Sequence, residues 1–293
     1  MNAAGVLRSR GRMLRNLFLA RGAGTRRAQA WTSLGLAAIA SAILFWIFGV
    51  LFEPLASSPE GIARAGALLG IVLGAVLVAL VVFDVHYAVS ALFTDSDLDL
   101  LRRAPVRPAE LFGIKLIDSL PQTTMVLLVV ALPVTVAFAR ILPVPGWALV
   151  LLPLQLAALW TIPLGIGSAL ALLLLRRVPA ARAREALGLI SSLTLTLLWL
   201  ANAFLLPRMQ DPERITEALG AAHAWASFSP AHWLASALVS AHLGEARPAI
   251  AATLRLLAAG AIAGGLAVWL ASLQREATQA RGATARPRPR PGA

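Results

Sequence analysis

Trp31–Phe52 reads WTSLGLAAIASAILFWIFGVLF, 22 residues without a single charge. At 1.5 Å per residue such a run makes a helix of about 33 Å, enough to cross a bilayer's hydrocarbon core of about 30 Å. The same signature recurs along the chain. Ala65–Phe83 is a second uncharged run and Ser119–Ala139 a third. Ile141–Leu175 is uncharged throughout, but Pro143, Pro145 and Gly146 put a turn at its start, so its span begins near Trp147. Ala186–Pro207 is the fifth. Leu256–Leu273 is the sixth, drawn back towards Ala249 with Arg255 snorkelling to the interface. The expected fold is all-α, a polytopic membrane bundle of six transmembrane helices.

Composition points the same way. Of 293 residues, 58% are hydrophobic and 14% charged, where a soluble domain carries about 25% charged residues. There is no cysteine, which removes disulfides and thiolate metal sites. A net charge of +12 on a soluble chain would suggest nucleic acid. Here the arginines lie between apolar blocks, which points to a membrane surface and to the lipid bilayer as partner, with no nucleic acid. With an internal amino terminus, 20 of the 26 Lys and Arg residues fall on the inside: in Met1–Ala30, Asp84–Asp118, Arg176–Glu185 and after Leu273. The outside keeps Arg64, Arg140, Arg208, Arg214, Arg247 and Arg255. Both termini are therefore expected in the cytoplasm, as in a multi-pass protein of a bacterial inner membrane. The first apolar run follows a long basic segment and has the length of a full span, so it does not read as a cleavable signal peptide.

Three regions follow. Residues 1–30 form a basic cytoplasmic segment, 31–273 the six-span domain, and 274–293 a disordered Arg/Pro-rich cytoplasmic tail. Within the first region, Gly5–Arg21 places Met13, Leu14, Leu17 and Phe18 on one helical face, with Arg8, Arg12 and Arg15 largely elsewhere. That apolar face favours an N-terminal interfacial helix over a disordered leader.

Leu92–Lys115 reads LFTDSDLDLLRRAPVRPAELFGIK. Thr94 or Asp95 caps a short helix, and Asp97 and Asp99 suit its first turn. Arg102 and Arg103 close it, and Ala104-Pro105 stops it. Asp95, Asp97 and Asp99 mimic the opening of a calcium loop. Leu100 stands where that loop needs glycine, and Val106 where it needs glutamate, so no calcium site is expected. Leu98, Leu100 and Leu101 argue against a fully solvated connector.

This stretch resembles the permease subunits of ABC-type exporters, in particular a bacterial group with an aspartate-leucine pair, two leucines, a proline and a hydrophobic-lysine exit. The order of parts is similar as well: interfacial helix, cytoplasmic helix between spans two and three, long external connection before the last span. The resemblance implies a permease working by alternating access with a separate ABC-type ATPase subunit. Asp97, Leu98, Asp99, Leu100, Leu101, Arg102 and Arg103 would be its short cytoplasmic coupling helix. Members of that group are often about twice this length and carry two such bundles, which implies that this chain pairs with a second permease half or with a copy of itself.

Other features are less specific. Gly66, Gly70 and Gly74, like Gly260 and Gly264, recur every four residues and make flat strips for close helix packing. Pro121, Pro133, Pro163, Gly165 and Gly167 are expected to bend spans three and four. Between spans five and six, Asp211-Pro212 and Ser229-Pro230 each start a helix. The second helix gathers Trp233, Leu234, Ala237, Leu238 and Ala241 on one face, which suits either a helix dipping into the outer leaflet or a cap on the bundle. Gln122, Thr123, Thr124 and Asn202 read as polar groups bonding across helices. Asp84 and His86 follow the end of an uncharged run at Phe83 and read as interfacial groups, not as a proton relay.

No catalytic, cofactor or metal site is expected. The sequence has no G-x-x-x-x-G-K-[ST], so the chain is not expected to be an ATPase itself. His86, His223, His232 and His242 lie in no H-E-x-x-H pattern, and His232 and His242 read as surface or interface residues. Two rival classes remain, a secondary transporter and a non-transporting membrane assembly protein or enzyme. The first would show mid-membrane charges or inverted repeats, and an enzyme would show convergent acid, base or metal groups at depth.

Overall fold

The computed structural model describes residues 24–93, 124–177, 188, 192, 196 and 228–284. The described residues are helical with short turns and contain no strand. We number the helices α1 (Gly24–Phe52), α2 (Pro59–Phe93), α3 (Leu132–Ile141), α4 (Gly146–Arg177), α5 (Pro230–His242) and α6 (Ala246–Thr284). Five stretches are long and apolar enough to cross a membrane: Trp31–Ser57, Pro59–His86, Thr124–Ile141, Gly146–Leu170 and Ala246–Leu270. The expected span Ala186–Pro207 lies outside the described residues except for Gly188, Ser192 and Thr196, which are helical and exposed.

Chain ends and turns follow local chemistry. A 3₁₀ turn, Pro54–Ser57, joins α1 to α2. Ser58 is extended, Pro59 takes the first helical position, and the Gly61 N–H donates to Ser58 Oγ at 3.1 Å. These signals start α2 six residues before the uncharged run at Ala65, because a helix tolerates Glu60 and Arg64 in its first turns where a hydropathy count does not. α5 ends in a Schellman turn. Gly244 has φ +79, its N–H donates to Ala241 O at 3.2 Å, and the Glu245 N–H donates to Ser240 O at 2.8 Å. α6 then runs to Thr284, into the segment assigned above to the tail. Arg255 on α6 is exposed.

α3 is preceded by a π-helical segment, Leu127–Ala131, in which the Leu132 N–H donates to Leu127 O. Pro133 has no N–H, so it cannot serve Val129 O four residues back. Ser41 Oγ of α1 approaches that carbonyl instead, at 3.4 Å. The α1–α3 contact is completed by Phe52 edge-on to Phe138 at 5.3 Å and by the Arg140 guanidinium over the Phe45 ring at 5.6 Å. α4 continues through Pro153 and Pro163 without a break.

α4 is the centre of the described bundle, packed against α2, α6 and α5, while α1 lies at the edge against α3. Leu69, Leu73, Leu80, Leu159, Leu234, Leu238 and Leu256 are fully buried between these helices. The outer surface is apolar: Leu36, Trp46, Val150, Ile262 and Val268 are all exposed. In water so much exposed hydrocarbon would drive aggregation, whereas lipid chains solvate it.

Candidate functional site

Three close helix crossings shape the interior, and each is built on glycine. On α2, a Cβ at Gly66 would lie 2.6 Å from Val239 Cγ2, one at Gly70 3.5 Å from His232 Cα, and one at Gly74 3.9 Å from Ala231 Cβ. This strip therefore carries α5. Moving from Gly66 to Gly74 on α2 means moving from Val239 back to Ala231 on α5, so the two helices run antiparallel. Gly74 is 15 residues beyond Pro59, about 22 Å along the axis. A cap would lie across the helix ends. α5 instead lies alongside a candidate span, with Ala231, Leu234, Ala235, Ala237, Leu238 and Ala241 all buried. Its carboxyl-terminal end is tied down where His242 Nδ1 donates to Pro143 O at 2.9 Å, in the α3–α4 turn.

The second crossing joins α4 and α6. A Cβ at Gly260 would sit 2.7 Å from Thr161 Oγ1 and 3.1 Å from Ala158 O. One at Gly165 would meet the backbone of Ala263. Gly264, by contrast, has nothing within 4 Å of its Cβ position. One turn of pattern away, Gln155 Nε2 donates to Thr253 Oγ1 at 2.7 Å, and Thr253 Oγ1 donates to Ala249 O at 2.9 Å. Gln155 Oε1 is buried without a partner.

At the third crossing α2 meets α4. A Cβ at Gly167 would stand 2.5 Å from Asp84 Cβ and 3.1 Å from the Val85 nitrogen. Asp84 is 4% exposed, and neither carboxylate oxygen has a hydrogen-bond partner. This corrects the interfacial reading of Asp84. The uncharged run does stop at Phe83, but α2 continues and α4 covers the next turn. His86, two residues on, is exposed as an interfacial group would be.

The segment Asp97–Arg103 lies outside the described residues, as do Gln122, Thr123, Asn202, Pro121, His223, Asp211-Pro212 and the helix read over Gly5–Arg21. The pattern of residues had marked Gly165 and Gly167 only as bend formers. Their partners, Ala263 and Asp84, are distant in sequence, so no local signal shows the contact. Gln155 is a lone amide within the uncharged run of α4, in itself a sequence signal for a cross-helix bond. Among the described residues no group of three or more His, Asp or Glu side chains is placed to hold a metal ion.

A family model described as "Putative ATP-binding cassette" matches residues 29–288. The chain belongs to this family. No curated protein and no solved structure matches it. The family is described by the cassette, the ATPase-type part of such systems, and not by a permease. That finding overturns the reading of the chain as the permease subunit of an ABC-type exporter working by alternating access. The physical reason is plain. The resemblance rested on one cytoplasmic segment and on the order of apolar helices, and helix order is shared among proteins of many functions. A coarser statement stands: a member of the ATP-binding cassette family whose described residues include five membrane-length apolar helices.

Proposed function

We propose that this chain is a membrane-embedded component of an ATP-binding cassette transporter. One observation carries the reading. The residues matched by the family, 29–288, contain all five described helices that are long and apolar enough to cross a bilayer. In this proposal a partner chain binds and splits the nucleotide. A P-loop needs a lysine after glycine to reach the β- and γ-phosphates, and the single lysine here, Lys115, follows Ile114. Asp97–Arg103, between the second and third spans, is the segment that meets this partner on the cytoplasmic side. Ala186–Pro207 completes six spans in this reading, and the distribution of arginine supports a cytoplasmic position for both termini.

Two observations test this. The chain should stay in the membrane fraction after alkaline carbonate extraction, and release would contradict membrane embedding. A topology reporter at Gly220 should read outside and one at Ala183 inside. The opposite pattern would overturn the orientation while leaving the membrane placement intact.

A further inference from the structure

Asp84 is the only charged residue type buried among the described residues. It lies within the span Pro59–His86, 25 residues from its start, about 37 Å along the helix and so near the far end. Only glycine at position 167 lets α4 approach the Asp84 backbone this closely, and the approach seals the carboxyl from its surroundings. The polar residue beside Gly167 on α4 is already engaged: Ser168 Oγ donates to Leu164 O at 2.6 Å and to Gly165 O at 3.1 Å, within its own helix.

No counter-charge faces the group among the described side chains. α4 has no titratable residue from Gly146 to Leu175. Arg176 and Arg177 follow nine and ten residues after Gly167, about 14 Å further along the helix. On α2 the nearest titratable residues are the exposed His86 and, three positions beyond Asp84 in sequence, Tyr87, with Glu60 and Arg64 at the far end. α6 meets α4 at Ala263, with Arg255 eight residues before it and Arg275 twelve after. α5 packs on the opposite half of α2, with its histidines at 232 and 242. A carboxylate without partners in apolar surroundings costs several kcal/mol to keep ionised. A sodium or divalent ion would need several oxygen ligands around it, and among the described residues no group of three or more His, Asp or Glu side chains is placed to hold a metal ion. A proton needs a single lone pair.

We propose that Asp84 is a proton-binding site linked to the α2–α4 crossing. The carboxyl holds its proton while α4 is closed over it at Gly167. When the crossing opens, the carboxyl O–H bond breaks, the proton passes to water, and the carboxylate is left solvated. The equilibrium between closed and open crossings is thereby coupled to pH. The inference rests on the membrane placement of α2 and α4, not on nucleotide use.

The test uses the full-length chain in lipid bilayers. Infrared difference spectra between the chain and Asp84→Asn should show, at neutral pH, the carbonyl stretch of a protonated carboxylic acid that the variant loses. The absence of cysteine allows spin labels at Val78→Cys on α2 and Leu170→Cys on α4, both on exposed faces. The distance between them should lengthen as rising pH abolishes the acid band, and should be independent of pH in Asp84→Asn. Absence of the acid band at neutral pH overturns the proposal, and so does a pH-dependent distance that persists in Asp84→Asn.

Discussion

Thr253→Val separates two accounts of what a polar pair contributes inside the bundle. The substitution keeps the side chain's shape and removes its hydroxyl. Gln155 Nε2 then loses its partner at 2.7 Å while Oε1 already lacks one, leaving a wholly unsatisfied amide in a 2% exposed side chain. Orphaning a buried polar group costs about 1–3 kcal/mol. Hydrogen bonds between membrane helices average about 0.6 kcal/mol, because the chain unfolded within the membrane also finds partners. The expected loss is therefore about 1 kcal/mol. Gln155→Leu behaves differently, because it removes the bond together with both polar atoms of the amide. Its effect should stay within about 0.5 kcal/mol of zero or be stabilising. The double substitution should match Gln155→Leu alone. Reversible unfolding in bicelles by detergent titration or steric trapping measures all three. Gln155→Leu costing as much as Thr253→Val would show the opposite, that the bond itself outweighs the unsatisfied carbonyl.

Other substitutions test other contacts. Gly260→Leu should destabilise by about 1–3 kcal/mol through overpacking against Thr161 and Ala158, whereas Gly264→Leu, with open space around it, should change stability by less than about 0.5 kcal/mol in the same assay. Gly244→Ala should cost about 1 kcal/mol because of its positive φ, and Gly244→Asn less, by thermal unfolding in detergent. Ser41→Ala should destabilise slightly, by about 0.5 kcal/mol, and become neutral in a Pro133→Ala background, where residue 133 regains an N–H four residues after Val129. A double-mutant cycle reads that coupling directly.

The spans were legible in the sequence because lipid forces a simple rule on it. Trp31–Phe52 needs only length and the absence of charge to be recognised. The turn at Pro143–Gly146 was legible for an equally local reason, since two prolines and a glycine interrupt an apolar run. What escaped was everything decided by a neighbour. Trp233, Leu234, Ala237, Leu238 and Ala241 form the same apolar face whether α5 caps the bundle or lies alongside α2. Only the register of Gly66, Gly70 and Gly74 against Val239, His232 and Ala231 distinguishes the two. Asp84 looked interfacial because its own run of apolar residues had ended, yet its environment is set by Gly167, 83 positions away. The π-helical segment was hidden too, although Pro133 marked the place where a regular hydrogen bond had to fail.

Functional reading had a different limit. A cytoplasmic segment with a resemblance to exporter permeases suggested a finer role than the family supports, and the family description replaced that role with membership of the ATP-binding cassette group.

The most direct measurement is photolabelling with an azido-ATP analogue of the complex that the tagged chain forms in solubilised membranes. The account predicts that a P-loop ATPase accompanies the chain and takes the label, while the chain stays unlabelled. Label on this chain itself, displaced by excess ATP, would contradict the proposal that a partner binds the nucleotide.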